Sequence, residues 1–343
     1  MARLLSPIEE RFCRENGIDK DLARGVRFDS SPKRSRIDPL WLQGAFDERP
    51  ILEQIESVAI AKQSRFSNAI AKIYNAYCFA ARWRIPKVYC GDLEILMEGA
   101  GMGSVSFFRG EPREKNYLTS LFFYNKTLAD LCRGAPSRLQ VLRSLVPYYR
   151  FTVPAPLAAE EGNRDLYIHI RSGDLFRKEA PHFQYGQPPL SFYKKVLAYQ
   201  KWERVFLVYE DQTNPVIAAL EESLRLLGMP WKAQSGDLRS DIEFLCRAKN
   251  LVVGRGTFIY PVLCVSPNIQ RVFFFEEEPT YCFDDNQRIM WGLDKSSIEF
   301  TTVRDVTGIY RADILTRWTN SEEQRELMLT YDEKNLEVQE AQG

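Results

Sequence analysis

Strict alternation of apolar and polar side chains runs through Leu166-Tyr167-Ile168-His169-Ile170-Arg171. It places Leu166, Ile168 and Ile170 on one face of a strand and Tyr167, His169 and Arg171 on the other, and Ser172-Gly173-Asp174 then ends the strand in a turn. Downstream, strand and helix patterns keep alternating. Pro188-Pro189-Leu190-Ser191 predicts a helix start with Phe192, Val196 and Leu197 inward, and Arg204 to Tyr209 predicts a strand. Asn214-Pro215 reads as a cap followed by proline at the first position of a helix over 214–227. Ser240-Asp241-Ile242-Glu243 reads as a capping box leading into Phe244 to Ala248, with a strand over Asn250 to Val253 behind it. Gly254-Arg255-Gly256-Thr257-Phe258 opens an apolar helix from Ile259 to Val265, and Arg271 to Phe275 closes the series as a strand. Repeated units of this kind predict an α/β domain of the doubly wound, Rossmann-like class with parallel strands.

Upstream the periodicity is less regular. Residues 1–48 hold the breaker cluster Asp29 to Arg36 and show no sustained period, so they are expected to form a leader packing on the first domain. That domain is expected over 49–155. Within it, 50–62 reads as a helix or a strand, and Ile70, Ile73, Tyr74, Tyr77, Cys78 and Ala81 recur at helical spacing with Ser67 or Asn68 as the cap. A short strand is predicted from Lys87 to Cys90, a glycine-rich loop over 99–110, and helix through 117–150 with a break at Gly134-Ala135-Pro136. Pro154-Ala155-Pro156 is the best linker in the chain, so the second domain is expected over 160–312. The tail, 313–343, reads as helical with Leu315, Trp318 and Leu327 as anchors; its acid-rich last dozen residues are expected to fray.

Composition narrows the function classes. A length of 343 residues suggests two domains or one large one. Lys plus Arg and Asp plus Glu are both 46, so no global field gathers nucleic acid or an anionic membrane, and any bound anion must be held locally. Cysteines at 13, 78, 90, 132, 246, 264 and 282 form no CxxC pair and read as reduced core thiols of a cytosolic-type protein. With His169 and His182 the only histidines, a multi-histidine metal centre is excluded. The charged first ten residues lack a signal-type core, and no run of about 18 apolar residues occurs. The expectation is a soluble, cytoplasmic chain without a membrane segment, with earlier removal of a Golgi-type anchor left open.

Candidate chemistry is crowded at the carboxyl end of the alternating strand. A buried arginine there is costly unless the strand ends at a ligand crevice, so Arg171 reads as an anion binder or as the partner of Asp174 in bracing the turn. The Gly256-Thr257-Phe258 turn offers helix-start amides and the Thr257 hydroxyl to a phosphate. An arginine-to-phosphate bond contributes roughly 1.5 to 3 kcal/mol against about 0.3 to 1 for a helix dipole, so Arg171 is expected to dominate. No Walker loop is present, and Asp284-Asp285 reads as a turn. Plainer roles stand beside each assignment: Asn68 and Thr257 as helix caps, His169 as a residue fixing the strand end, and Glu210-Asp211 as a loop cap.

His169-Ile170-Arg171-Ser172-Gly173-Asp174 resembles the His-x-Arg-Arg-x-Asp motif of the fucosyltransferase-like superfamily, which includes α-1,2-, α-1,6- and protein O-fucosyltransferases. The run from Asp241 to Ala248 and on to Gly256-Thr257-Phe258 resembles its Asp-x-x-x-Leu-x-x-Ala segment ending in Ser-Thr-Phe or Ser-Ser-Phe. Arg65-Phe66-Ser67-Asn68 resembles its amino-terminal signature. The resemblance implies a type B glycosyltransferase fold, two Rossmann-like domains facing a cleft. It implies inverting, metal-independent transfer of fucose from GDP-fucose to a hydroxyl of a glycan or other acceptor, with no cofactor. It also implies roles: Arg171 on the β-phosphate, Asn68 on the sugar phosphate or acceptor, and His169, Asp241, Thr257 and Phe258 along the nucleotide, with Gly256 and Arg65 counted among the substrate-binding residues. Asp174 is the candidate general base, with a structural turn carboxylate as its other reading. The departures are Ser172 in place of the second arginine, Ser67 in place of a glycine and Gly256 in place of a serine. They keep two alternatives in view, another nucleotide-sugar donor or a binding protein without turnover. A phosphoesterase using His169 as nucleophile is a third and weaker reading.

Overall fold

A computed structural model describes residues 55–60, 66–91, 96–114, 117–120, 136–177, 181, 183–275 and 285–340. The leader at 1–48, Arg65, His182 and Asp284 lie outside the described residues. The chain divides into two compact units, Met1–Arg150 and Phe151–Gly343.

In the first unit, β1 (Ser57–Ile60), β2 (Lys87–Tyr89), β3 (Gly101–Met102), β4 (Val105–Phe108) and β5 (Tyr117–Ser120) form a sheet in the order β3-β4-β2-β1-β5. All neighbours are parallel except β3 and β4. The helix α1 (Phe66–Trp83) packs on β1, β2 and β4 with Ile70, Ile73, Tyr74, Tyr77 and Cys78 buried, as their spacing predicts, whereas Ala81 is exposed. Phe66 is already helical, so neither Ser67 nor Asn68 is the cap. Two other expectations change. The glycine-rich stretch is a β3–β4 hairpin, because Phe107 N–H donates to Ala100 O and Gly99 N–H to Phe107 O. Tyr117–Ser120, expected to be helical, is a strand beside β1: four residues are too few to carry a period that separates a strand from a helix turn. Helix resumes at α2 (Arg138–Ser144), where Ser137 and Gln140 complete a capping box.

The second unit holds β6 (Asp165–Ile170), β7 (Arg204–Tyr209), β8 (Trp231–Gln234), β9 (Asn250–Val253), β10 (Arg271–Phe275), β11 (Glu299–Asp305) and β12 (Leu336–Glu340). Their order is β8-β7-β6-β9-β10-β11-β12, parallel throughout except for β12. Counted from β6 this is 3-2-1-4-5-6 with an antiparallel seventh edge, the order of a doubly wound dinucleotide-binding sheet. The order reverses between β6 and β9, so the crevice such sheets use for ligands opens where Ile170 and Val253 end.

Helices α3 (Asp174–Arg177), α4 (Leu190–Tyr199), α5 (Pro215–Leu226), α6 (Leu238–Leu245), α7 (Ile259–Val265), α8 (Asp285–Trp291) and α9 (Glu322–Thr330) complete the unit. Leu166, Ile168 and Ile170 are fully buried in a cluster with Phe192, Val196, Val216 and Leu220 of α4 and α5. The opposite face of β6 carries Tyr167, whose ring meets Phe206 and Phe244 at 4.6 and 5.2 Å, so the predicted alternation is realised. Asn214 caps α5 with proline at its first turn, also as read. At α6 the cap is Asp237, which accepts from Arg239 and Ser240 N–H, and not the Ser240 box; the helix starts three residues early and ends at Leu245.

The tail is part of this core. Leu315 and Trp318 are buried and Leu327 packs beside them, and the end that was expected to fray pairs with β11 as β12. Pairing with β11 satisfies backbone groups that the acidic composition gave no reason to expect in a sheet. Trp318 is 1% exposed, packs edge-on against Phe176 at 5.3 Å and donates from Nε1 to Leu175 O. Trp318→Ala is therefore expected to cost about 3 to 5 kcal/mol in urea unfolding; an unchanged midpoint would show the tail to be an independent appendage.

Candidate functional site at the strand-order reversal

The turn after β6 is held from three sides. Asn214 Nδ2 donates to Arg171 O at 2.9 Å while its Oδ1 caps α5, so one side chain ties the end of β6 to the start of a helix. Gly173 takes a left-handed φ of 69° and its N–H donates to Asp211 Oδ1 and Thr213 Oγ1 at 3.2 and 3.0 Å. Burial alone would raise the Asp211 carboxyl, but the Thr213 hydroxyl and the Thr213 and Gly173 N–H groups, with Arg177 alongside, hold it below its ordinary value. Ser172 is 1% exposed and its Oγ accepts from Asp211 N–H at 3.1 Å. The residue standing in place of the motif's second arginine is thus an internal brace between the ends of β6 and β7.

Arg171 is partly buried and bonds Asp174 Oδ1 through one terminal nitrogen at 3.1 Å, the side chains being 20% and 23% exposed. Its Nε is buried and meets no acceptor among the described residues. The turn-bracing reading of Arg171 has its contact here, made through Nη2; the buried Nε lies on that same edge of the guanidinium. His169 stacks on Phe258 at 4.8 Å and 21°. Burial, with the Arg171 charge beside it, pushes the imidazole down to about 3, so it is neutral across the physiological range. Its Nδ1 is buried without a partner among the described residues.

On the other side of the reversal, Gly254 N–H donates to His169 O at 3.0 Å, extending the β6–β9 ladder by one bond. A Cβ at Gly254 would stand 3.1 Å from Arg171 N, 3.2 Å from Gln187 Oε1 and 3.3 Å from His169 O. A side chain there would make the two strand ends give by a few tenths of an ångström. Gly256, Thr257 and Phe258 follow, each partly exposed. Phe258 is the residue before α7 and has helical dihedrals, and no side chain caps the helix, so the expected capping hydroxyl of Thr257 plays no such part.

Compared with protein-family models, curated proteins and solved structures, the chain matches none.

Asp241 lies one strand further out, on α6. Burial raises its carboxyl, with Asp237 adding to the effect, although donation from Gln234 Nε2 and Gly236 N–H opposes it at 3.4 and 3.2 Å. The structure therefore groups His169, Arg171, Asp174, Gly256, Thr257 and Phe258 around the reversal, with Asp241 beyond β7 on the same edge. Asn68 sits partly exposed near the start of α1 in the first unit, and Arg65 lies outside the described residues. Sequence reasoning missed Gln187, whose side chain is fully buried against Gly254 and Arg255. A lone amide before two prolines carries no motif that marks it. Among the described residues no three His, Cys, Asp or Glu side chains gather as a metal-holding group, and no helix is long and apolar enough to cross a membrane.

Two outcomes follow from this geometry. Gly254→Ala is expected to lose about 1 to 3 kcal/mol in chemical denaturation, because the backbone atoms at 3.1 and 3.3 Å must move apart. For His169 the unfolded state takes up a proton near 6.5 while the folded state does so near 3, so its contribution is complete above about 6.5 and is lost as pH falls through that window. Melting temperature should drop between pH 6.5 and 4, and His169→Gln should flatten that part of the profile; an identical slope in the variant would show that His169 titrates normally.

Proposed function

We propose that the chain is a type B glycosyltransferase that moves a sugar from a nucleoside-diphosphate donor, GDP-fucose by the motif resemblance, to a hydroxyl of a glycan or other acceptor with inversion. The observation that carries the reading is a guanidinium, 20% exposed and bonded to Asp174 through one terminal nitrogen, beside the strand-order reversal of a 3-2-1-4-5-6 sheet. Departure of the nucleotide leaves negative charge growing on the diphosphate. A cation already fixed in position stabilises that charge more in the transition state than in the ground state, which is what acceleration requires. In this reading Arg171 supplies the charge in the place a metal takes in other transferases, and the neutral His169 and Phe258 give the nucleotide a flat, uncharged wall.

Asp174 bonded to Arg171 acts here chiefly as an orienting carboxylate, and the acceptor's general base is sought elsewhere. That same engagement favours a second reading, a nucleotide-sugar-binding protein without turnover. Ser172 accepts from Asp211 N–H and supplies no cation, so a nucleotide-sugar donor other than GDP-fucose stays in view.

A thermal-shift panel of GDP, UDP, dTDP and CMP with their sugars tests the proposal. Ligand at about 100 times its dissociation constant adds roughly 2.7 kcal/mol, a readily measured rise. GDP and GDP-fucose are expected to give the largest shifts, and no shift with any nucleotide overturns the reading. With an acceptor panel, Arg171→Ala is expected to lower sugar transfer by about 100-fold or more. Binding without release of GDP from GDP-fucose across all acceptors selects the second reading.

A further inference from the structure

The carboxyl edge of the second sheet is crossed by a continuous line of hydrogen bonds that begins far from Arg171. Asp305, the last residue of β11, accepts from Tyr331 O–H at 2.6 Å and Thr307 O–H at 2.8 Å through Oδ1, and from Tyr310 N–H at 2.9 Å through Oδ2. Tyr310 is fully buried, with its ring against Phe275 and Tyr331, and its hydroxyl donates to Gln187 O at 2.7 Å. The Gln187 side chain, also fully buried, then grips one residue of the turn after β9 by both its backbone groups. Its Oε1 accepts from Arg255 N–H at 3.1 Å, and its Nε2 donates to Arg255 O at 3.1 Å and to Tyr185 O at 2.9 Å. Gly254, the residue before Arg255, is the one that closes on Arg171 N and His169 O.

We infer that Gln187 is a positioning residue for the diphosphate site: it fixes the Gly254–Arg255 turn against the end of β6, and Tyr310 and Asp305 hold Gln187 in turn. The inference rests on the nucleotide-diphosphate reading above and adds a specific device to it. An amide suits the task because one side chain must both accept from an N–H and donate to a carbonyl. A carboxylate of the same shape offers acceptors alone, so it keeps the Arg255 N–H bond and sets an oxygen against Arg255 O and Tyr185 O. Misplacing the turn alters the distance between β9 and the guanidinium of Arg171, which the diphosphate must span. In this reading the nucleoside meets the His169 and Phe258 rings and the diphosphate meets the gap itself, so the diphosphate is expected to feel the change more than the nucleoside.

The test is calorimetric titration of the full chain with GDP and guanosine, and with UDP and uridine, the pair of higher affinity being the one read. Wild type is set beside Gln187→Glu, Tyr310→Phe and Arg171→Ala, each checked for fold by circular dichroism. Gln187→Glu is expected to weaken the nucleoside diphosphate about 10-fold while leaving the nucleoside within about twofold, and Tyr310→Phe to move the same ratio in the same direction by about threefold. A residue that merely stabilises the fold changes melting temperature without changing this ratio. If Gln187→Glu does not fold, Tyr310→Phe, which removes one hydroxyl, decides alone. Diphosphate binding that Arg171→Ala abolishes, with an unchanged ratio in the Gln187 and Tyr310 variants, overturns the positioning role and leaves the functional reading standing. Absence of diphosphate binding by the wild type overturns the functional reading itself.

Discussion

A guanidinium at the end of a buried parallel strand has to be balanced, and the second unit is arranged around that requirement. Left without a partner, such a charge costs several kcal/mol. Asp174 meets part of the demand through one terminal nitrogen of Arg171, while the buried Nε stays without an acceptor among the described residues. The neighbouring imidazole adds no second charge: burial and Arg171 itself keep His169 neutral. Around this centre Ser172, Asp211, Thr213 and Asn214 spend their hydrogen bonds on fixing backbone. The result is a cation whose position is set by the fold before any ligand arrives, which is the form in which an electrostatic contribution to catalysis is largest.

Two of the positions that depart from the motif the sequence resembles are set by the fold. Ser172 is turned inward, and what it stabilises is the approach of β7 to β6. Gly256 has a φ of 141° with open space where a side chain would project, so the position is set by backbone conformation more than by crowding. Arg171, His169 and Phe258 remain as the groups whose chemistry faces the reversal.

Much of the second unit was legible because its signals are local. Alternation in β6, the Asn214-Pro215 cap and the apolar runs at β7, β9, α7 and β10 each specify an element within a few residues. Strand order is not local: the doubly wound class put both turns on one edge of the sheet, but nothing along the chain marked β9 as the neighbour of β6, with His169 opposite Val253. The errors have physical causes. Asp237 and Ser240 are both good caps, and the box pattern at Ser240 drew the start of α6 inward while Asp237 held the free N–H groups. Leu336 and Val338 do alternate with polar residues as an edge strand should, but the surrounding acidic charge masked them. Gln187 was invisible because an amide's role is set by what packs against it, and Arg255 and Tyr310 are 68 and 123 residues away in sequence.

In the proposed function, Arg171 and the turn at Gly254 form an anion site for a nucleoside diphosphate. The decisive measurement is a crystal structure of the chain with bound GDP. The expected result is a diphosphate at the carboxyl ends of β6 and β9, with a phosphate oxygen within hydrogen-bond distance of the Arg171 guanidinium and the nucleoside passing the His169 and Phe258 rings. GDP bound elsewhere on the chain, with Arg171 still serving Asp174 alone, would contradict it.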